Sequence, residues 1–326
     1  LLTEDGEHLT DTPWQEYPRP QLKRDSYLNL NGTWKYAATY QRQIPTTWKQ
    51  EILVPFPPQS VLSKVSKAPR RHQFLYYQRE FELPDDFVKD QVILHFGAVD
   101  QITTVYLNHK EIFTHVGGYL PFQVDITKEL QKINILTLRI KDTLQHSLPY
   151  GKQKSKRGGM WYTPVSGIWQ SVWLESVNED YIQNLKITPS LTDVTIEVQC
   201  NNDCDKVIRI NTEEGVIERI IQKNQIRISI PNPKVWSPKN PYLYEFEIEA
   251  QQDRIQSYFA LRTLTIEKVN HIPRLCMNGK PYFFHGILDQ GYFSDGIYLP
   301  ASLAGYEKDI LTMKDLGFNT LRKHIK

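Results

Sequence analysis

Near the carboxyl end, a few residues have types and spacings suited to chemistry. In "GFNTLRKHIK" (317–326) strand alternation places Phe318, Thr320, Arg322 and His324 on one face. Arg322 brings a fixed positive charge. His324 beside it reads equally as a ligand contact or a structural histidine. In "LDQG" (288–291) Asp289 and Gln290 end a preceding strand. A carboxylate there could accept hydrogen bonds from hydroxyl groups at two oxygens, or Asp289 could be the turn residue before Gly291. Far upstream, Trp161 and Tyr162 close a long loop over 148–164. Their faces could stack on a ring-shaped ligand or be wedged between domains. The basic run from Lys152 to Arg157 could attract an acidic ligand, or be an ordinary solvated loop.

The elements that must position these residues follow from periodicity. Residues 281–291 read as a strand. Residues 301–317 read as a helix with Leu303, Tyr306, Ile310 and Met313 on one face, Ser302 as N-cap and Gly317 as C′ glycine. The next strand carries Arg322. Strand, helix, strand is a βαβ unit and needs a parallel sheet. A (β/α)₈ barrel takes about 250 residues, so the expectation is that the sequence stops inside this third domain. Upstream, residues 30–177 read as regularly spaced short strands, including a hairpin at Asn108-His109-Lys110, which suits a jelly roll of about eight strands. Seven further candidate strands between about 181 and 267 suit an immunoglobulin-like sandwich, with Trp236 capping its core. The fold expected is mainly β. A jelly-roll sandwich spans 1–178 with an N-terminal extension, an immunoglobulin-like sandwich 179–268, and an incomplete (β/α)₈ barrel begins at 269–326.

Bulk properties narrow the partners. The chain has 326 residues, a net charge of +2 and 12% aromatic residues. Balanced charge gives no general attraction to nucleic acid or an acidic membrane. No apolar run approaches the ~20 residues of a membrane span, and "LLTEDGEHLT" has no signal-peptide pattern. The cysteines Cys200, Cys204 and Cys276 make no disulfide framework. Cys200 and Cys204 flank "NND" and could pair or bind metal, but no histidine lies near and free thiols are the better reading. No metal site and no cofactor motif is evident.

Four segments, in order, resemble glycoside hydrolase family 2: "VSGIWQSVWLESV" (165–177), "WSPKNPYLYEFEIE" (236–249), "LCMNGKPYFFHGILDQG" (275–291) and "DLGFNTLRKHI" (315–325). The resemblance implies a retaining β-glycosidase, most like a β-galactosidase, with β-glucuronidase, β-mannosidase or a non-catalytic carbohydrate-binding protein as alternatives. It implies a carbohydrate substrate, and the jelly roll would wall the active site and could serve as an oligomer contact. Arg322 matches the family's second-strand arginine, whose charge would keep the nucleophilic carboxylate ionised. The family's acid and nucleophile glutamates are expected beyond Lys326, so no residue of the chain is catalytic and the chain alone is expected to be inactive. Arg322, His324, Asp289, Gln290, Trp161 and Tyr162 are the substrate-binding candidates. Two departures bear on the sugar. "LDQG" replaces basic and histidine residues of the β-galactosidase pattern, and "KRGGMWYTPVSG" (156–167) lacks the loop carboxylate of several members. The compartment stays open between a bacterial cytoplasm and, with a signal peptide absent from this chain, periplasm or secretion.

Overall fold

A computed structural model describes residues 1–144, 147–202 and 204–325. They form two compact units: Leu1–Pro18 with Tyr27–Ser176 and the residues from Gly286 on, and Arg19–Ser26 with Val177–His285.

In the first unit, alternating strands build a sandwich. One sheet runs in the order Gln50–Val54, Gly32–Thr39, Phe74–Phe81, Asn134–Lys141, Ile102–Leu107, Lys110–Val116; the other Tyr27–Asn29, Val172–Val177, Gln91–Phe96, Phe122–Asp125. These are ten strands among the described residues, against about eight expected, because two short edge strands join the sheets. Trp34, Tyr77 and Leu138 from the first sheet meet Leu94, Phe96 and Leu174 from the second in one buried core. "QVILHF" is buried along almost its whole length, as its continuous apolar run demands. The expected hairpin turns at Asn108-His109, both with positive φ (50° and 71°), the conformation a type I′ turn requires.

The strand–helix–strand segment belongs to this unit. Strand Gly286–Asp289 pairs in parallel with Thr320–Lys323, and helix Leu303–Asp315 lies between them in sequence. The first strand is shorter than the expected 281–291, since Lys280–Pro281 pairs elsewhere. Gly317 is the C′ residue with φ +91°. Its N–H donates to Lys314 O and that of Phe318 to Met313 O, a complete Schellman cap. Ser302 occupies the N-cap without a side-chain hydrogen bond. No helix residue is buried, and Ile310 remains 53% exposed. Two four-residue strands offer too little surface to cover the expected apolar stripe. Tyr306 is packed best, edge-on to Trp14 at 5.8 Å and Phe293 at 5.3 Å. The N-terminal segment holds the loop before the helix. The Thr3 amide donates to the buried Asp295 carboxylate at 2.9 Å, and the Trp14 indole to Pro300 O at 3.1 Å.

The second unit is a seven-stranded sandwich. Ile182–Pro189, Asp193–Cys200 and Gln225–Ser229 form one sheet, and Gly215–Ile221, Lys206–Thr212, Tyr244–Ala250 and Asp253–Phe259 the other. Ile196, Ile208, Ile248 and Phe259 lie in its core. The segment 19–26 is fastened to it by Arg24, whose guanidinium grips Asp253 with two bonds of 2.9 Å. Trp236 does not cap the core; it is half-buried beneath the Arg262 guanidinium at 4.8 Å. Leu264–Val269 turns back through Asn270-His271 to pair with Ile272–Met277 in a separate small sheet. His285 is exposed beside Phe283. All three cysteines are free thiols. Asp203, in the spacer between Cys200 and Cys204, lies outside the described residues.

Candidate active site

Parallel pairing sets the carboxyl ends of two strands side by side. Asp289 stands opposite Lys323 in register. Lys323 Nζ reaches Asp289 Oδ2 at 2.5 Å, while Oδ1 accepts from the Gly291 amide at 2.6 Å. The backbone continues the ladder, His324 N donating to Asp289 O at 2.9 Å. The strand thus ends at Lys323, and His324 lies just past it. The side chain that engages Asp289 is therefore Lys323, which alternation assigns to the face away from Arg322 and His324.

Arg322 is exposed and His324 half-buried. Partial burial lowers the His324 pKa, and the positive charges of Lys152 and Arg322 lower it further. Lys152, from the long loop, is thus near enough to contribute to that lowering. Gln290 is half-buried, and its amide oxygen is buried without a hydrogen-bond donor. An unfilled buried acceptor costs about 1–3 kcal/mol, a cost that a ligand hydroxyl would remove.

The loop 148–164 is ordered by its own bonds and by an aromatic wall. Tyr162 N donates to Lys152 O at 2.8 Å, and Gly158 and Trp161 exchange two backbone bonds of 3.1 Å. Gly158 and Gly159 turn the chain with φ of +144° and +59°, a path that side-chain-bearing residues rarely take. Gln153 is buried, accepting from Val165 N and donating to the Tyr119 hydroxyl at 3.0 Å. Tyr162 stacks on Tyr292 at 4.0 Å with planes 18° apart. Tyr292 meets Tyr298 edge-on at 5.4 Å, and Tyr298 meets Trp169 at 5.0 Å. Burial pushes the Tyr292 hydroxyl up to about 12, so it stays a neutral phenol. Trp161 carries the Lys154 ammonium 5.8 Å from its ring centre.

Tyr162, Asp289, Gln290, Arg322 and His324 therefore fall in one region, at or beside the strand ends, with the Lys152 charge added. One face of Tyr162 is already occupied by Tyr292. Lys323, Gln153, Tyr292 and Tyr298 were not among the candidates singled out from the sequence, whereas the basic run had marked Lys152. No local signal marks these four, because their partners are Asp289 in the neighbouring strand for Lys323, Tyr119 and Val165 for Gln153, and Tyr162 and Trp169 for Tyr292 and Tyr298. Among the described residues no cluster of His, Cys, Asp and Glu could hold a metal ion, and no helix is long and apolar enough to cross a membrane.

Comparison with known proteins adds the family. Residues 63–171 match the model of a glycosyl hydrolase 2 galactose-binding domain-like family, and residues 180–262 that of glycosyl hydrolases family 2. The chain belongs to glycoside hydrolase family 2. Rat (Rattus norvegicus) β-glucuronidase is 25% identical over 94% of this family 2 chain and 54% of its own. A β-galactosidase of Thermoanaerobacter pseudethanolicus is 24% identical over 76% of this chain and 36% of its own. Among solved structures, Faecalibacterium prausnitzii β-glucuronidase aligns with a TM-score of 0.76 at 23% identity, over 94% of this chain and 57% of that one. The Ruminococcus gnavus β-glucuronidase in complex with D-glucuronic acid aligns at 0.75 and 19% identity, over 93% and 56%. These likenesses establish a shared mainly-β fold. The chain spans about half the length of the curated relatives it matches.

Proposed function

We propose that the full-length protein carrying residues 1–326 hydrolyses β-glycosidic bonds with retention, and that its preferred glycone is a uronate. In this reading the strand–helix–strand segment opens a (β/α)₈ barrel, whose reactions take place at the carboxyl ends of its strands. A retaining glycosidase needs two carboxyl groups about 5–5.5 Å apart, one protonated and one ionised. Neither is assigned to a residue of this chain. Arg322 would hold the nucleophilic carboxylate ionised by its charge. Asp289 and the open Gln290 oxygen would take hydroxyls of the sugar. The observation that carries the uronate is positive charge at the strand ends: Arg322 on the second strand, with Lys152 near enough to depress His324, while Lys323 is paired with Asp289. The similarity to several β-glucuronidases supports the same choice. A β-galactoside is the second reading, favoured by the similarity to a β-galactosidase.

The test is steady-state hydrolysis of 4-nitrophenyl β-D-glucuronide, β-D-galactoside and β-D-mannoside by the full-length protein. The glucuronide is expected to have the highest kcat/KM. A charge-assisted hydrogen bond contributes about 1.5–3 kcal/mol, so Lys152→Gln should cut glucuronide kcat/KM roughly 10- to 100-fold and galactoside far less. Preference for the galactoside, unaffected by that change, would overturn the uronate assignment. No turnover of any of the three would overturn the glycosidase.

A further inference from the structure

The first unit also contains a cavity of about 590 Å³, lined in part by Gln153 and Lys154 of the loop 148–164 but by none of Asp289, Gln290, Arg322 and His324. Its volume lies within the ~300–1,000 Å³ typical of small-molecule sites. Gln59, Arg70, Arg71, Asp142, Lys154 and Ser166 are among its lining residues. Asp142 Oδ2 accepts from Ser166 Oγ at 2.7 Å and Oδ1 from the Leu144 amide at 2.8 Å. Ser166 Oγ is in turn held by Gln59 Nε2 at 3.0 Å. An ionised carboxylate offers about four acceptor positions, so two donors leave capacity facing the cavity. No cation pairs with Asp142 among the described residues, and burial raises its pKa. Arg70 and Arg71 are exposed, and Lys154 lies over the Trp161 ring. Three cations against one carboxylate make the lining positive. Among the described residues no aromatic side chain lines it, so they offer a flat ring such as a nucleobase no stacking surface there.

We propose that this cavity is a binding subsite for a carboxylate-bearing oligosaccharide. Sugar hydroxyls donate to the open positions of Asp142, and the sugar carboxylates are held by Arg70, Arg71 and Lys154. This goes beyond the hydrolytic reading, because binding here needs no bond cleavage.

Isothermal titration calorimetry of the full-length protein with trigalacturonate, and with its carboxyl-reduced neutral counterpart, tests it. The acidic trimer should bind at least about tenfold more tightly, the low end for a charge-assisted contact. The double variant Arg70→Gln, Arg71→Gln should abolish that preference and leave the neutral trimer unchanged. Asp142→Asn, checked for an unaltered thermal midpoint, should weaken both trimers. Equal affinity for the two trimers, or no binding of either, would overturn the proposal. So would acidic-trimer binding that survives the double arginine variant but falls with Lys152→Gln, which would place the ligand at the strand ends. Loss of hydrolysis with these binding effects intact would count against the glycosidase reading alone.

Discussion

Replacing Arg24 by methionine should unfasten the segment 19–26 from the second unit at a cost that the structure lets one work out. Arg24 and Asp253 are 4% and 2% exposed. Asp253 is held by three donors: Arg24 Nε at 2.9 Å, Arg24 Nη2 at 2.9 Å and the Ile182 amide at 2.8 Å. The guanidinium also donates to Ile182 O and lies 5.7 Å from the Tyr181 ring centre. Methionine keeps the aliphatic bulk but removes two of the three donors and the cation, leaving a buried carboxylate with one amide. Breaking a buried pair from one side costs about 3–5 kcal/mol, a large part of the ~5–15 kcal/mol stability of an ordinary domain. Hydrogen-exchange mass spectrometry can read this in the second unit alone, through amides of the strands Ile182–Pro189 and Asp193–Cys200. Where those amides exchange through opening of the whole unit, the loss speeds exchange roughly 100- to several-thousand-fold, at about 1.4 kcal/mol per decade. Arg24→Met with Asp253→Leu should recover much of the loss, because both desolvation penalties disappear together. If the single variant speeds exchange by less than about fivefold (~1 kcal/mol), the pair does not hold the segment and the reasoning fails.

Hydrogen bonds from Arg227 and Ser190 hold the Asp193 carboxyl down to about 2. Its ionised form therefore stabilises the second unit above the ordinary carboxylate range, and that contribution fades as pH falls through about 2. Asp193→Asn should flatten the acid limb of the unit's unfolding curve between pH 4 and 2, measured by far-ultraviolet circular dichroism; an unchanged limb would rule out this carboxyl as its source. Tyr162→Ala removes the stack on Tyr292, about 0.5–1.5 kcal/mol beyond buried area, and should speed tryptic cleavage at Lys154, Lys156 and Arg157 without altering the thermal midpoint of the second unit. Unaltered cleavage would mean that Gln153 alone holds the loop.

Local pattern made much of this molecule legible. The Asn108-His109 turn and the Gly317 cap each need only neighbours in sequence, and each stands as expected. The four resemblance segments lead to the family that the comparisons support. Legibility failed where the deciding partner is remote. Trp236 has the size of a core residue but lies under an arginine. The helix has an apolar stripe, yet it is covered mainly at Tyr306, and Leu303 and Ile310 stay exposed. The strand 281–291 breaks because its first residues join a different sheet, a choice made by the turn at Asn278-Gly279 (φ 54° and 72°) and not by hydrophobicity.

The sequence by itself determined the two β-sandwiches, the strand–helix–strand segment and the presence of Asp289, Arg322 and a basic loop, because these rest on periods of 2.0 and 3.6 residues and on turn chemistry. Tertiary structure alone decided that Arg19–Ser26 joins the second unit and that the residues from Gly286 on join the first. It also decided that Lys323, and not His324, takes Asp289, and that Tyr162 settles on Tyr292. The reason is the same in each case: these pairings depend on parallel register and on burial between segments 34 to 229 residues apart, and no local propensity records which distant surface a side chain will meet.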